Sequence, residues 1–243
     1  MNNYQYLNWD SKFFGYKVAK LLPENIPDDK LSDILSSLKK KGYRLVYSFV
    51  DPQDETINLS HLNNNGILID EKITFSQRLT ESVTAESDDP NIIEYHEIAP
   101  EKSLLSIALQ CGEFSRFQID KNFTTKEFMD LYTLWLENSI NKKIANNVFA
   151  YKEYGKFLGL ATVAKDREVG EIGLIGVNSH ERGKRIGSKL LKHIFKQYFR
   201  LGCKRIDVVT QKNNQLACNF YIKNGFITSG IKNVFHFWLK EET

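Results

Sequence analysis

The chain has 243 residues, 42% hydrophobic and 26% charged, a profile that excludes a disordered, fibrous or disulfide-scaffold protein. Thirty-three Lys and Arg against thirty Asp and Glu leave a formal charge of +3. That balance excludes a chain built to coat nucleic acid or an anionic membrane, so any anion it binds must be held locally.

Cys111, Cys203 and Cys218 lie far apart, with no CxxC and no His at ligand spacing, which argues against a disulfide framework and against any metal site. No window approaches about 18 consecutive apolar residues, and the first ten residues lack a basic segment followed by an apolar one. The expectation is a cytoplasmic protein that neither spans nor binds a membrane.

A strand-like run at 16–22 leads into a helical pattern, Leu31, Ile34, Leu35 and Leu38, that stops at Gly42. Arg44–Val50 then reads as a buried strand, and 66–80 as another. Residues 81–90, ESVTAESDDP, break the periodicity and mark a boundary between a small N-terminal α/β domain, 1–85, and a larger domain, 92–243. The larger domain opens with a strand at 92–95 and a helix at 100–110. A second helix is capped by Thr124 or Thr125 with Glu127 behind it, and Phe128, Leu131, Tyr132, Leu134 and Trp135 form its apolar face. Strands at 147–152, 156–164 and 171–177 follow as a meander, then a strongly amphipathic helix at 184–200, a strand at 205–210, a helix at 214–224 and a last strand at 226–239.

Residues 172–191, IGLIGVNSHERGKRIGSKLL, run from an apolar strand through a loop with two glycines straight into a helix. Unpaired amides in the first helical turn and the helix dipole favour an anion there, and Arg182, Lys184 and Arg185 add charge while Gly183 and Gly187 allow close approach. A tight turn with a basic helix start would leave the same trace. The loop lacks the GK[ST] of a P-loop, and the antiparallel strands before it do not open a Rossmann unit. About 30 residues on, Asn214, Ala217, Tyr221, Gly225 and Phe226 fall in the pattern N-x-x-A-x-x-x-Y-x-x-x-G-F.

Together the two stretches resemble the GCN5-related N-acetyltransferase (GNAT) superfamily, whose R-x-x-G-x-G/A pattern matches Arg182 to Gly187. The first glycine of that pattern is Arg185 here. The resemblance implies a central mixed, mostly antiparallel sheet flanked by helices, with acetyl-CoA as co-substrate. It implies that Arg182, Gly183, Lys184, Arg185, Ile186, Gly187 and Ser188 hold the diphosphate. The strand ending at Ile175 and Val177 would splay and expose amides, Asn214 and Ala217 would meet the pantetheine arm, and Tyr221 would protonate the leaving thiolate as general acid. Glu171 stands where some members place a general base.

Within the superfamily, LNWDSKFFG at 7–15, SRF at 115–117, LYTLWLENS at 131–139, VTQKNN at 209–214 and the closing Phe237, Trp238 and Leu239 are similar to the bacterial acetyltransferases that act on dTDP-fucosamine. This narrower resemblance implies acetyl transfer to the amine of a nucleotide-linked amino-deoxy sugar, with Arg116, Phe117 and Phe14 at the acceptor and a homodimer as the assembly. Phe14, with Trp9 and Phe13, equally suits core packing. No Ser/His/Asp or Cys/His nucleophile pattern is present, so transfer is expected to be direct. The alternatives are a protein N-terminus or small amine as acceptor, and a CoA-binding module without catalysis.

Overall fold

The computed structural model describes residues 3–23, 26–84 and 88–239. The first half of the chain forms β1 (Tyr4–Tyr6), α1 (Asn8–Phe14), β2 (Lys17–Leu21), α2 (Asp28–Lys40), β3 (Tyr43–Val50), α3 (Glu55–Asn63), β4 (Ile67–Arg78) and α4 (Glu81–Thr84). It continues with β5 (Ile92–Glu94), α5 (Lys102–Cys111), α6 (Arg116–Ile119), α7 (Thr125–Ile140), β6 (Asn147–Glu153), β7 (Lys156–Asp166) and β8 (Val169–Val177). A single 3-10 turn at Ser179–Glu181 precedes α8 (Ile186–Arg200), β9 (Arg205–Gln211), α9 (Gln215–Lys223) and β10 (Ile227–Trp238). No helix among the described residues is long and apolar enough to cross a membrane.

The chain divides into two compact units, residues 1–73 with 230–243 and residues 74–229. Neither cut coincides with the boundary drawn in the sequence at 81–90: one falls inside β4 and the other inside β10, each a strand of 12 residues. Composition marks where periodicity breaks, whereas a compact unit follows strand pairing. The terminal strand returns the chain to its N-terminal residues.

In the first unit β2 and β3 are parallel, joined by α2 as the crossover helix that parallel neighbours require. β1 adds to β2 antiparallel, and β10 pairs antiparallel with β3 from Asn233 opposite Val50 to Trp238 opposite Leu45. Ala19, Leu21, Val46 and Val50 from the strands meet Leu31, Leu35 and Leu38 from α2, with Phe235 and Phe237 of β10 completing the core. The sequence did not anticipate β1, α1 or α3. For α3 the signal was Asp54, whose side chain accepts the Ile57 N–H as an N-cap.

In the second unit β5, β6, β7 and β8 form an antiparallel meander, and β9 adds parallel to β8 through the crossover helix α8. The last residues of β4 lie beside β9, where Leu79 N–H donates to Lys204 O and Ser76 Oγ donates to Asp207 Oδ1. The sheet is mixed and mostly antiparallel, with helices packed on it. α8 buries Ile186, Leu190, Leu191, Ile194, Phe195 and Tyr198 at the predicted period, and the Tyr198 hydroxyl donates to Val163 O. Thr124 and Glu127 form a reciprocal capping box on α7. That helix buries Phe128, Leu131, Tyr132 and Leu136, leaving Leu134 and Trp135 half-buried.

Candidate functional site

The site begins where two neighbouring strands part. β8 and β9 pair from Val169 opposite Arg205 to Ile172 opposite Val208 and no further, although both strands continue. On its other edge β8 stays paired with β7 to the end, Val177 lying opposite Gly159. Leu174 N–H donates to Thr162 Oγ1 and Asn178 N–H to Leu158 O, both toward β7. Alternation along the strand therefore turns the amides of Ile175 and Val177 toward the opening beside β9.

The two faces of this strand end belong to different helices. Gly176 faces α5, where a Cβ would fall 2.6 Å from Cys111 Sγ. Val177 faces the start of α8, its side chain 3.7 Å from where a Cβ on Gly187 would lie. The Val177 carbonyl accepts a bond from Arg182 Nε at 3.4 Å. Sequence reasoning named the strand end at Ile175 and Val177 and the pattern from Arg182 to Gly187, and the structure sets Val177 beside both Arg182 and Gly187.

The loop between β8 and α8 is tied to α5 by Ser179 N–H donating to Gln110 Oε1 at 3.1 Å. Gly183 takes φ +86°, a left-handed conformation that favours glycine, with open space around it. Lys184 pairs with Glu181 at 2.6 Å, and Arg182, Gly183, Lys184 and Arg185 are all exposed. Arg185 is the N-cap of α8 and also left-handed, at φ 62°. A glycine at this position would hold that turn without the Cβ penalty. Arg185 offers no side-chain acceptor to the first-turn amides, which start at the buried Ile186 and run past Gly187 and Ser188. Uncapped amides, an open glycine and three cations make a donor set that fits a diphosphate.

Asn214 caps α9, its Oδ1 accepting the Ala217 N–H at 3.1 Å. Ala217 is thus engaged through its amide, while the NH2 of Asn214 remains as a donor pair. Tyr221 is 5% exposed, its ring 5.6 Å from Phe75, 5.3 Å from Phe220 and 5.5 Å from Phe226. Burial pushes the phenol well above its ordinary range, and the thiols of Cys111 and Cys218 add to the rise. The phenol keeps its proton at neutral pH.

Other predicted residues lie apart from this cluster. Glu171 is exposed, opposite Asp207 in the still-paired part of β8, six residues and so about 20 Å along the strand from Val177. Arg116 and Phe117 open α6, the guanidinium 4.6 Å above the neighbouring ring and that ring 5.3 Å from Phe123. Just before them Ser115 is 4% exposed, and its hydroxyl has no hydrogen-bond partner among the described residues. Phe14 belongs to the first unit, edge-on to Phe13 and stacked on Tyr16. Two residues of the site carried no functional signal in the sequence. Cys111 matters through the docking of α5, and Phe75 through a strand that reaches β9 from elsewhere in the chain.

Residues 113–226 match the model of the acetyltransferase (GNAT) family. No curated protein matches the chain. Among solved structures it is similar to a functionally unknown conserved protein from Staphylococcus epidermidis, with 11% identity and a TM-score of 0.64, covering 91% of this chain and 83% of that one. It is also similar to a GCN5-related N-acetyltransferase from Sphaerobacter thermophilus, with 11% identity and a TM-score of 0.61, covering 99% and 77%. These likenesses show the fold.

Proposed function

We propose that this chain, whose residues 113–226 match the GNAT family model, transfers acetyl from acetyl-CoA directly to the amine of a nucleotide-linked amino-deoxy sugar. The observation that carries the reading is the parting of β8 from β9 after Ile172, directly beside the uncapped head of α8.

Acetyl-CoA, when bound, supplies the acetyl thioester. The first-turn amides of α8, with Arg182, Lys184 and Arg185, hold the diphosphate, whereas Gly187 makes room for the Phe220 ring of α9, 3.0 Å from where its Cβ would lie. The NH2 of Asn214 orients the pantetheine arm. The amides of Ile175 and Val177 polarise the thioester carbonyl, as fixed donors aimed where negative charge develops. Tyr221 holds its proton on the phenol oxygen and delivers it to the departing sulfur. Glu171 stands too far along β8 to reach that point, so the proton of the attacking amine leaves to solvent.

The acceptor assignment rests on the 115–117 turn. An unpartnered buried hydroxyl on Ser115 is costly unless a ligand pairs with it, and Arg116 over Phe117 presents a cation beside a flat apolar surface. A nucleotide sugar offers hydroxyls, a diphosphate and a base to those groups.

Thiol release from acetyl-CoA, measured against dTDP- and UDP-linked amino sugars, peptides and polyamines, tests both parts. Release with the amino sugars is expected. Release with peptides or polyamines alone would replace the acceptor, and tight CoA binding without release from any amine would leave a non-catalytic binding module. Tyr221→Phe should lower turnover about 10- to 100-fold with acetyl-CoA affinity unchanged. Wild-type turnover in that variant would remove the phenol from the mechanism.

A further inference from the structure

The last turn of α5 is fixed at two points of the site. At β8, a Cβ on Gly176 would fall 2.6 Å from Cys111 Sγ and 2.9 Å from Ile107 Cγ2, so only glycine lets the helix approach this closely. At the loop, Gln110 Oε1 accepts the Ser179 N–H. Cys111 is therefore held beside the strand end by its own helix and by the strand backbone. The thiol also lies close enough to the Tyr221 phenol to disfavour its ionisation. Burial pushes the thiol up to about 12, partly countered by Arg182. The group stays S–H at physiological pH and acts as a soft wall rather than a nucleophile.

We infer that Cys111, backed by Gly176 and Ile107, sets the length of the acyl group, admitting acetyl and excluding longer chains. The inference rests on the acyl-transfer reading above. A carbonyl held by the amides of Ile175 and Val177 brings its methyl group against the sulfur. Any further methylene must enter volume that the sulfur already fills. The sulfur cannot retreat, because the Gly176 backbone lies behind it and Ile107 beside it. Crowding by one methylene in such a pocket discriminates by about 10- to 200-fold.

The test is a binding series with CoA, acetyl-CoA, propionyl-CoA and butyryl-CoA, read by calorimetry and needing no acceptor. Wild type should bind butyryl-CoA at least about tenfold more weakly than acetyl-CoA. Cys111→Ala should shrink that gap to about threefold or less with CoA affinity unchanged, and Cys111→Val should weaken acetyl-CoA while sparing CoA. Equal affinity of wild type for all four, or a gap that persists in Cys111→Ala when CoA still binds, overturns the inference. The wild-type series decides even where a variant does not fold. Absence of any CoA binding would overturn the acyl-transfer reading itself, whereas CoA binding with a flat series overturns the role of Cys111 alone.

Discussion

At the residue scale, two positions carry free energy in the folded chain that a ligand or a substitution would release. Ser115 is one: its hydroxyl is 4% exposed at the residue level and unpartnered among the described residues. Removing an unpaired buried hydroxyl relieves a penalty of about 1–3 kcal/mol. Ser115→Ala is therefore expected to raise the melting temperature while raising KM for the acceptor and leaving acetyl-CoA affinity unchanged. A lower melting temperature would show that the hydroxyl is paired, and an unmoved acceptor KM would separate it from the site. Arg185 is the other, a charged side chain on a left-handed backbone at φ 62°. The left-handed strain of about 1–2 kcal/mol outweighs the extra entropy that glycine loses on folding, about 0.5–1 kcal/mol. Arg185→Gly should thus stabilise the protein by about 0.5–1 kcal/mol in urea titration and weaken acetyl-CoA binding through the lost cation. Destabilisation would mean that the arginine makes a compensating contact in the folded protein.

At the scale of elements, the site is a product of three helices docking around one strand end. α5 presses on Gly176, α8 starts over Val177, and α9 brings Tyr221 against Phe75 and Phe226. α7 supports this from behind: a Cβ on Gly112, just past α5, would fall 2.6 Å from the rings of Phe128 and Tyr132. The capping box at Thr124 sets where α7 begins, its hydroxyl accepting the Glu127 N–H while the Glu127 carboxylate accepts the Thr124 N–H. Losing such a cap costs about 1 kcal/mol. Thr124→Ala should lower stability by that amount in denaturant titration with little change in turnover, since the carrier site proposed above draws no group from α7. A large loss of turnover at unchanged stability would contradict that separation. The elements themselves were readable where periodicity was long: α8, α7 and the β6–β8 meander appear as the apolar spacing predicts. α3 escaped because its nine residues bury only Ile57, Ser60 and His61, too few for a stripe.

At the scale of the whole molecule, acid and base act on the second unit through buried groups. The Cys111 thiol is raised from 9.0 to about 12, and the phenols of Tyr198 and Tyr221 are raised above 10.0, all by burial first. The native state therefore holds protons that the unfolded chain releases. This stability is complete below pH 9.0 and is lost as pH climbs toward about 12. His193 moves the other way, lowered from 6.5 chiefly by burial, so its contribution is present above pH 6.5 and lost as pH falls. The urea midpoint should peak between pH 6.5 and 9.0 and decline on both sides. An unchanged midpoint at pH 10.5 would show that these groups are solvated in the native state.

The amino-acid sequence by itself determined the long helices α7 and α8, the β6–β8 meander and the glycine-bearing turn into α8, because each depends on residues near one another along the chain. Periodicity, caps and glycine positions are local quantities. Only the tertiary structure decided where the two units divide, that β8 leaves β9 after Ile172, that Arg185 takes a glycine's conformation, and that Cys111 packs on Gly176 while Glu171 lies in the paired part of the strand. Those outcomes turn on which strands pair and how closely a helix can approach a backbone. Such distances are set by packing between segments many residues apart, and spacing along the chain does not encode them.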